Sequence, residues 1–183
     1  MLVGVVLAGG QSLRMGTDKA LLKLNGKTQL QRCQELLTRV GCNTILISRN
    51  QIDINQSYYI NDEHINIGPL AGIHRAVKTQ PKATGYLIVP VDMPRLNEAV
   101  LQELLARAES TYYADAILPC YIANQDQLLS TIESLIARQQ LSIRGLLTQL
   151  SAHALTAANA KWLANTNTPA QWQKISQEVY NGS

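Results

Sequence analysis

The chain has 183 residues, 46% of them hydrophobic, which suits one globular domain over 1–183 and excludes extensive disorder. Sixteen Lys and Arg against thirteen Asp and Glu leave a net charge of +3, but the basic residues are scattered without a run or an interleaved aromatic series, so no nucleic-acid footprint is expected. The longest apolar stretch, Leu2 to Ala8, falls far short of the ~20 residues that a membrane helix needs, and no basic segment precedes it. Cys33, Cys42 and Cys120 lack Cys-x-x-Cys spacing and a neighbouring His cluster, which argues against a disulfide framework or a zinc site and for a reducing, cytoplasmic setting.

Leu2 to Leu7 is strand-sized and valine-rich and stops at Gly9-Gly10, as expected of a strand buried on both faces of a parallel sheet. After a glycine-bearing loop, Thr28-Gln29-Leu30-Gln31 fits a capping box, and Leu30, Cys33, Leu37 and Val40 repeat at helical spacing until Gly41. Strands are expected at Thr44 to Ile47 and Tyr58 to Ile60, then a helix over Leu70 to Thr79 entered through Gly68-Pro69, then a strand over Tyr86 to Val91 that ends at Asp92. Pro94 and Asn97 introduce a helix whose stripe is Val100, Leu101, Leu104, Leu105 and Ala108. Ala116 to Leu118 reads as a strand, Gln125 to Arg138 and Ser142 to Leu150 as helices, and Lys161 to Ala164 as a weak last strand. Thr168-Pro169-Ala170-Gln171 is a second capping box, opening a terminal helix to about Tyr180. This alternation predicts one α/β three-layer sandwich with a mostly parallel, Rossmann-like sheet and a site beyond the carboxyl ends of its strands, among Ala8 to Lys19, Ser48 to Asn50, Asp62 to Gly68 and Asp92 to Arg95.

The first of these loops, Leu7-Ala8-Gly9-Gly10-Gln11-Ser12-Leu13-Arg14-Met15-Gly16-Thr17-Asp18-Lys19, offers backbone N–H groups at three glycines and the positive charge of Arg14 and Lys19, a combination suited to a polyphosphate. It is neither a Walker loop nor a dinucleotide fingerprint. A plain glycine-rich turn is the alternative on spacing alone. Asp92, at a strand's carboxyl end, suits Mg²⁺, which takes one or two carboxylates with substrate phosphates and water; it equally suits a carboxylate at a helix N-terminus. Asp62, in an Asp-Glu-His stretch, has solvation as its ordinary explanation. His64, His74 and His153 have no nucleophile placed beside them and are given no catalytic role.

Taken whole, the first loop resembles the signature of nucleotidyltransferases that use a nucleoside triphosphate, and more narrowly that of the molybdenum cofactor guanylyltransferases. Asn61-Asp62, Gly68-Pro69-Leu70-Ala71-Gly72, Val91-Asp92-Met93-Pro94-Arg95-Leu96 and Asn165-Thr166-Asn167-Thr168-Pro169 follow in the order of that family, across essentially the whole chain. The resemblance implies the nucleotide-diphospho-sugar transferase type of sheet and transfer of GMP from GTP to the terminal phosphate of Mo-molybdopterin with loss of pyrophosphate. It further implies Mg²⁺ on Asp92, and molybdoenzymes or cofactor-insertion proteins as recipients of the product.

Residue by residue, it implies nucleotide contacts at Leu7, Ala8, Gly9, Gly10, Ser12, Gly68, Pro69 and Leu70, with Ser48 and Asp62 on the guanosine side. Arg14, Lys19 and Asp92 would serve the chemistry, and Arg144, Asn165 and Asn167 the acceptor side, although Arg144 equally suits a solvated helix charge. Related cytidylyl enzymes usually have Leu-Ala-Ala-Gly in place of Leu7-Ala8-Gly9-Gly10. A transferase for another nucleotide or sugar phosphate, and a non-catalytic GTP or cofactor carrier, are the competing readings. The family also commonly carries a longer segment, often a hairpin with glycine and basic residues, where only Cys120 to Asn124 intervene here between Leu118-Pro119 and the next helix.

Overall fold

The structure is a computed structural model that describes residues 1–9, 18–49, 59–60 and 68–181. Strand β1 (Leu2–Leu7) leads to a 3-10 turn at Lys19–Leu21, a hairpin of β2 (Lys23–Leu24) and β3 (Lys27–Thr28), helix α1 (Gln29–Arg39) and strands β4 (Thr44–Ser48) and β5 (Tyr59–Ile60). Then come α2 (Pro69–Thr79), β6 (Gly85–Pro90), α3 (Glu98–Leu105), β7 (Thr111–Tyr113), β8 (Ala116–Ala123), α4 (Leu128–Ala137), α5 (Ile143–Gln149), β9 (His153–Leu155), a 3-10 turn at Ala160–Leu163 and α6 (Pro169–Asn181).

One seven-stranded sheet runs in the order β5-β4-β1-β6-β8-β7-β9, and β8 is antiparallel to both of its neighbours. Along β1 the side chains divide by period two: Val3, Val5 and Leu7 join Leu70, Ile73, Ile132 and Leu146 of α2, α4 and α5, whereas Val6 joins Leu37, Leu101 and Leu104 of α1 and α3. Three layers result, as the alternation of elements predicts. The chain winds from β1 outward to β4 and β5, then returns to place β6 on the other side of β1. This reversal opens a crevice beyond the carboxyl ends of β1 and β6, where open α/β sheets bind ligands.

Local chemistry explains most boundaries. Thr28 Oγ1 accepts from Gln31 N at 3.1 Å and Gln31 Oε1 from Thr28 N at 2.9 Å, completing the expected box at α1. Thr168 and Gln171 do the same at α6, at 3.3 and 3.2 Å. Asn97 caps α3 by accepting from Val100 N at 3.2 Å. The hairpin, unread in the sequence, turns on Asn25 and Gly26, with φ of 51° and 79°, the left-handed pair that a two-residue turn requires.

Three expectations are corrected. β8 does not stop at Leu118 but continues to Ala123, so Cys120–Ala123 are strand, pairing with Gly85–Ile88. Pro119 lies where the β7 register shifts, between the Tyr113–Ala116 and Tyr112–Cys120 pairs, an irregularity that spares it a ladder N–H. Lys161–Ala164 is not a strand: Asn159 Oδ1 caps a 3-10 turn by accepting from Lys161 N at 3.0 Å. The helix expected over Gln125 to Arg138 is shortened to Leu128–Ala137. Short β7 and β9, the latter opening at His153, complete the sheet; their three residues each take strand form from pairing rather than from pattern.

Helix α2 crosses the ends of β1 and β4 closely enough to require Gly72, where a Cβ would sit 2.5 Å from Ser48 Oγ and 2.9 Å from Leu7 Cδ2. Gly72→Ala therefore lowers stability by ~1–3 kcal/mol through overpacking, outweighing the ~1 kcal/mol of helix propensity that alanine would otherwise contribute; a urea melt measures the difference.

Burial pushes the thiols of Cys33, Cys42 and Cys120 up from 9.0 to about 12. Below pH 9 both the native and the unfolded thiols keep their protons and this contribution is constant. Above it the unfolded chain ionises first, so stability falls as pH rises from 9 towards 12. A urea midpoint that declines steadily over that window, with all three thiols unreactive to a disulfide reagent until the chain unfolds, is the expected outcome.

Candidate active site

A cavity of about 680 Å³ opens at the reversal point, lined by Leu7, Ala8 and Gly9 from the end of β1, Asp18 and Lys19, Pro69 of α2, and Pro90 to Met93 from the end of β6. Its far wall is Asp115 to Leu118, Ile143, Leu163 and Asn165. The volume lies within the range of small-molecule sites. The two walls separate because pairing of β6 with β8 ends at Ile88–Cys120. The next residues include Pro90 on one strand and Pro119 on the other, neither with an N–H to extend the ladder.

Asp92 stands just past the carboxyl end of β6. Its backbone carbonyl is taken by Thr166 twice, from the amide at 2.9 Å and from Oγ1 at 3.1 Å. Two residues on, the Pro94 carbonyl accepts from Arg32 Nη2 of α1 at 3.0 Å. The turn that carries Asp92 is thus held from the front by a C-terminal loop and from behind by a helix. Its carboxylate caps no helix, a task that falls to Asn97, and instead meets Lys19: Nζ lies 3.0 Å from Oδ2, with the two side chains only 18% and 19% exposed. A second acceptor, Asn167 Oδ1, lies 2.7 Å from the same ammonium.

Lys19 is presented by the 3-10 turn at Lys19–Leu21, whose N-cap Asp18 accepts from Ala20 N at 2.9 Å. Asp18 also pairs with the guanidinium of Arg49, just past β4. On the sheet side, Ala8 N donates to Ser48 O at 3.0 Å and Val91 N to Leu7 O at 3.2 Å, fixing the backbone of Leu7 to Gly9 between its neighbours. Gly68 begins α2 at φ 66° and ψ −153°, a conformation nearly restricted to glycine, and Pro69 follows at the first helical position.

The structure thus brings Leu7, Ala8, Gly9, Lys19, Pro69, Asp92 and Asn165 to one cavity, with Asn167 reaching Lys19. Other expected residues stand elsewhere. Ser48 is 3% exposed and directed at Gly72, so its side chain does not line the cavity. Leu70 is fully buried in the core, because the helix face that packs on the sheet needs it there. Gly68 is exposed at the start of α2, and Arg144 is exposed on α5, where its neighbour Ile143 forms the wall. Gly10, Ser12, Arg14, Asp62 and His64 lie outside the described residues. Sequence reasoning did not single out Asp18, Arg32, Arg49, Asp115 or the apolar Ile117, Leu118, Ile143 and Leu163; only Asp18, beside Lys19 in the first loop, carried a local signal.

Among the described residues no group of three or more His, Cys, Asp or Glu side chains converges to hold a metal ion. A single hard carboxylate such as Asp92, facing a cavity able to admit phosphates, fits Mg²⁺ and not a closed structural site. Among the described residues, no helix is long and apolar enough to cross a membrane.

Residues 4–168 match the MobA-like NTP transferase domain family. The chain is 36% identical over 181 residues to a molybdenum cofactor guanylyltransferase of Xanthomonas euvesicatoria, covering 96% of this chain and 94% of that one. It is 31% identical over 153 residues to a probable molybdenum cofactor guanylyltransferase of Opitutus terrae, covering 78% and 76%. Its fold matches the crystal structure of molybdopterin-guanine dinucleotide biosynthesis protein A from Archaeoglobus fulgidus with a TM-score of 0.75 and 21% identity, over the full length of both chains. A family match across most of its length, and a 36%-identical relative covered nearly end to end, make the chain a nucleotidyltransferase that belongs to the MobA-like NTP transferase domain family, among the molybdenum cofactor guanylyltransferases.

Proposed function

We propose that the protein transfers GMP from GTP to the terminal phosphate of Mo-molybdopterin, releasing pyrophosphate and leaving a guanine dinucleotide form of the cofactor for molybdoenzymes or the proteins that insert it. Such work belongs in the cytoplasm, and three buried, unpaired thiols suit that reducing compartment. The observation that carries this reading is the Lys19–Asp92 pair lining a cavity opened between β6 and β8. One charge is suited to phosphate oxygens, the other to their counter-ion.

In the transfer an oxygen of the acceptor phosphate forms a bond to the α-phosphorus of GTP, the bond from that phosphorus to the bridging oxygen breaks, and pyrophosphate departs with the electron pair. The nucleophile is already an anion, so no general base is needed. The work left to the chain is positioning and neutralisation of charge. Leu7 to Gly9 would lie along the nucleotide, with Gly10, Ser12 and Arg14 continuing the phosphate loop and Pro69 and Asp62 near the guanosine. Lys19 would donate to the phosphates. Asp92 would hold Mg²⁺, which when bound neutralises phosphate charge and offers a Lewis-acid partner to phosphoryl oxygens. Asn165, with the apolar Ile117, Leu118, Ile143 and Leu163, would face the acceptor, a wall suited to a flat heterocycle.

Asp92→Ala should cut turnover by ~10² or more and raise the Mg²⁺ concentration needed for half-maximal rate, measured by pyrophosphate release. Turnover near that of the native enzyme would place the metal elsewhere. Across a panel of nucleoside triphosphates with molybdopterin as acceptor, GTP should be the preferred donor. Equal turnover of CTP at matched concentrations would overturn the guanylyl assignment, and tight GTP binding without pyrophosphate release would make the protein a carrier.

A further inference from the structure

We propose that Asn167 is a positioning residue for Lys19, holding its ammonium towards the phosphates of the nucleotide rather than contacting the acceptor. The proposal rests on the reading of this cavity as the triphosphate site. An ammonium has three N–H donors and no acceptor. Two are spent within the protein, on Asp92 Oδ2 at 3.0 Å and Asn167 Oδ1 at 2.7 Å, and the third is left for a ligand in the cavity that Lys19 lines. With Asp92 alone the ammonium could pivot about one partner on a flexible four-carbon stem; two partners fix its direction.

Asn167 is itself anchored. Gln171 Oε1 accepts from Asn167 N at 2.8 Å and from Thr168 N at 3.2 Å, tying the residue to the first turn of α6. Immediately before it, Thr166 takes the Asp92 carbonyl through its amide and hydroxyl. One dipeptide therefore sets both partners of the pair, Thr166 through the backbone of Asp92 and Asn167 through the ammonium of Lys19. Asn165 lines the cavity, whereas the amide oxygen of Asn167 is already spent on Lys19.

The test is a double-mutant cycle on the full chain, with inorganic tripolyphosphate and Mg²⁺ as the probe and no acceptor present, read by titration calorimetry. Asn167→Ala should weaken tripolyphosphate ~10-fold, in the range found when an outer partner of a functional group is removed. Lys19→Ala should weaken it at least as much, and the double variant should be no worse than Lys19→Ala alone, because Asn167 acts only through Lys19. Asn167→Gln, which keeps an uncharged amide oxygen as acceptor, should bind tripolyphosphate more tightly than Asn167→Ala, because the acceptor for the ammonium is restored without added charge.

Additive losses in the double variant would overturn the proposal. So would unchanged tripolyphosphate binding in Asn167→Ala accompanied by a raised KM for the acceptor phosphate. Because the probe carries no base, a wrong assignment of the donor nucleotide appears separately, as equal use of GTP and CTP by the unsubstituted enzyme.

Discussion

The pairing of Lys19 with Asp92 is the constraint around which the site is arranged. The two residues are 73 positions apart in the chain and leave different strands of the sheet, β1 by way of its loop and β6 directly. They meet because the winding order sets β1 and β6 side by side, in a register that joins Leu7 to Pro90. A cation and an anion held this close and four-fifths screened from water cannot be moved independently. Losing either would leave its partner poorly solvated, and the supports already described, Thr166 and Arg32 on the Asp92 turn and Asp18 with Arg49 behind Lys19, all act to hold that geometry.

The cavity itself is a product of proline placement. β6 and β8 are partners from Gly85–Ala123 to Ile88–Cys120, and beyond that point the strands part. Pro90 loses nothing on its other side, where Val91 N continues to Leu7 O, so β1 stays attached to β6 while β8 diverges. Pro90 and Ile117–Leu118, which face the gap from either side, are thus ends of sheet strands, a more rigid support than loops for the parts of the site they carry.

Much of this was legible in the sequence. Both capping boxes, at Thr28 and Thr168, are local and depend on residues three apart, so they read directly from the chain. β1, β4 and β6 announced themselves as apolar runs, and the carboxyl-end location of the site followed from the alternation of strand and helix. β8 was truncated in the reading because Pro119 ordinarily ends a strand, and only its long-range partner β6 shows that the strand resumes at Cys120. β7 and β9 are too short for any periodicity. The supports of the site were invisible for a similar reason: Arg32 and Arg49 look like ordinary solvated cations until the fold brings Pro94 and Asp18 to them. Asn25-Gly26, in contrast, was a readable hairpin signal that went unused.

The sheet also tapers. Its central strands β1, β6 and β8 hold six, six and eight residues, while the edge strand β9 holds three. Strands β1 and β6, rich in valine, isoleucine and leucine, whose exposed ladders would recruit other chains, have strand neighbours on both sides. What β9 offers at the border is a stub with two solvent-exposed residues, too short to template a foreign strand. At that margin the short edge, more than electrostatic repulsion from so modest a net charge, opposes edge-to-edge association.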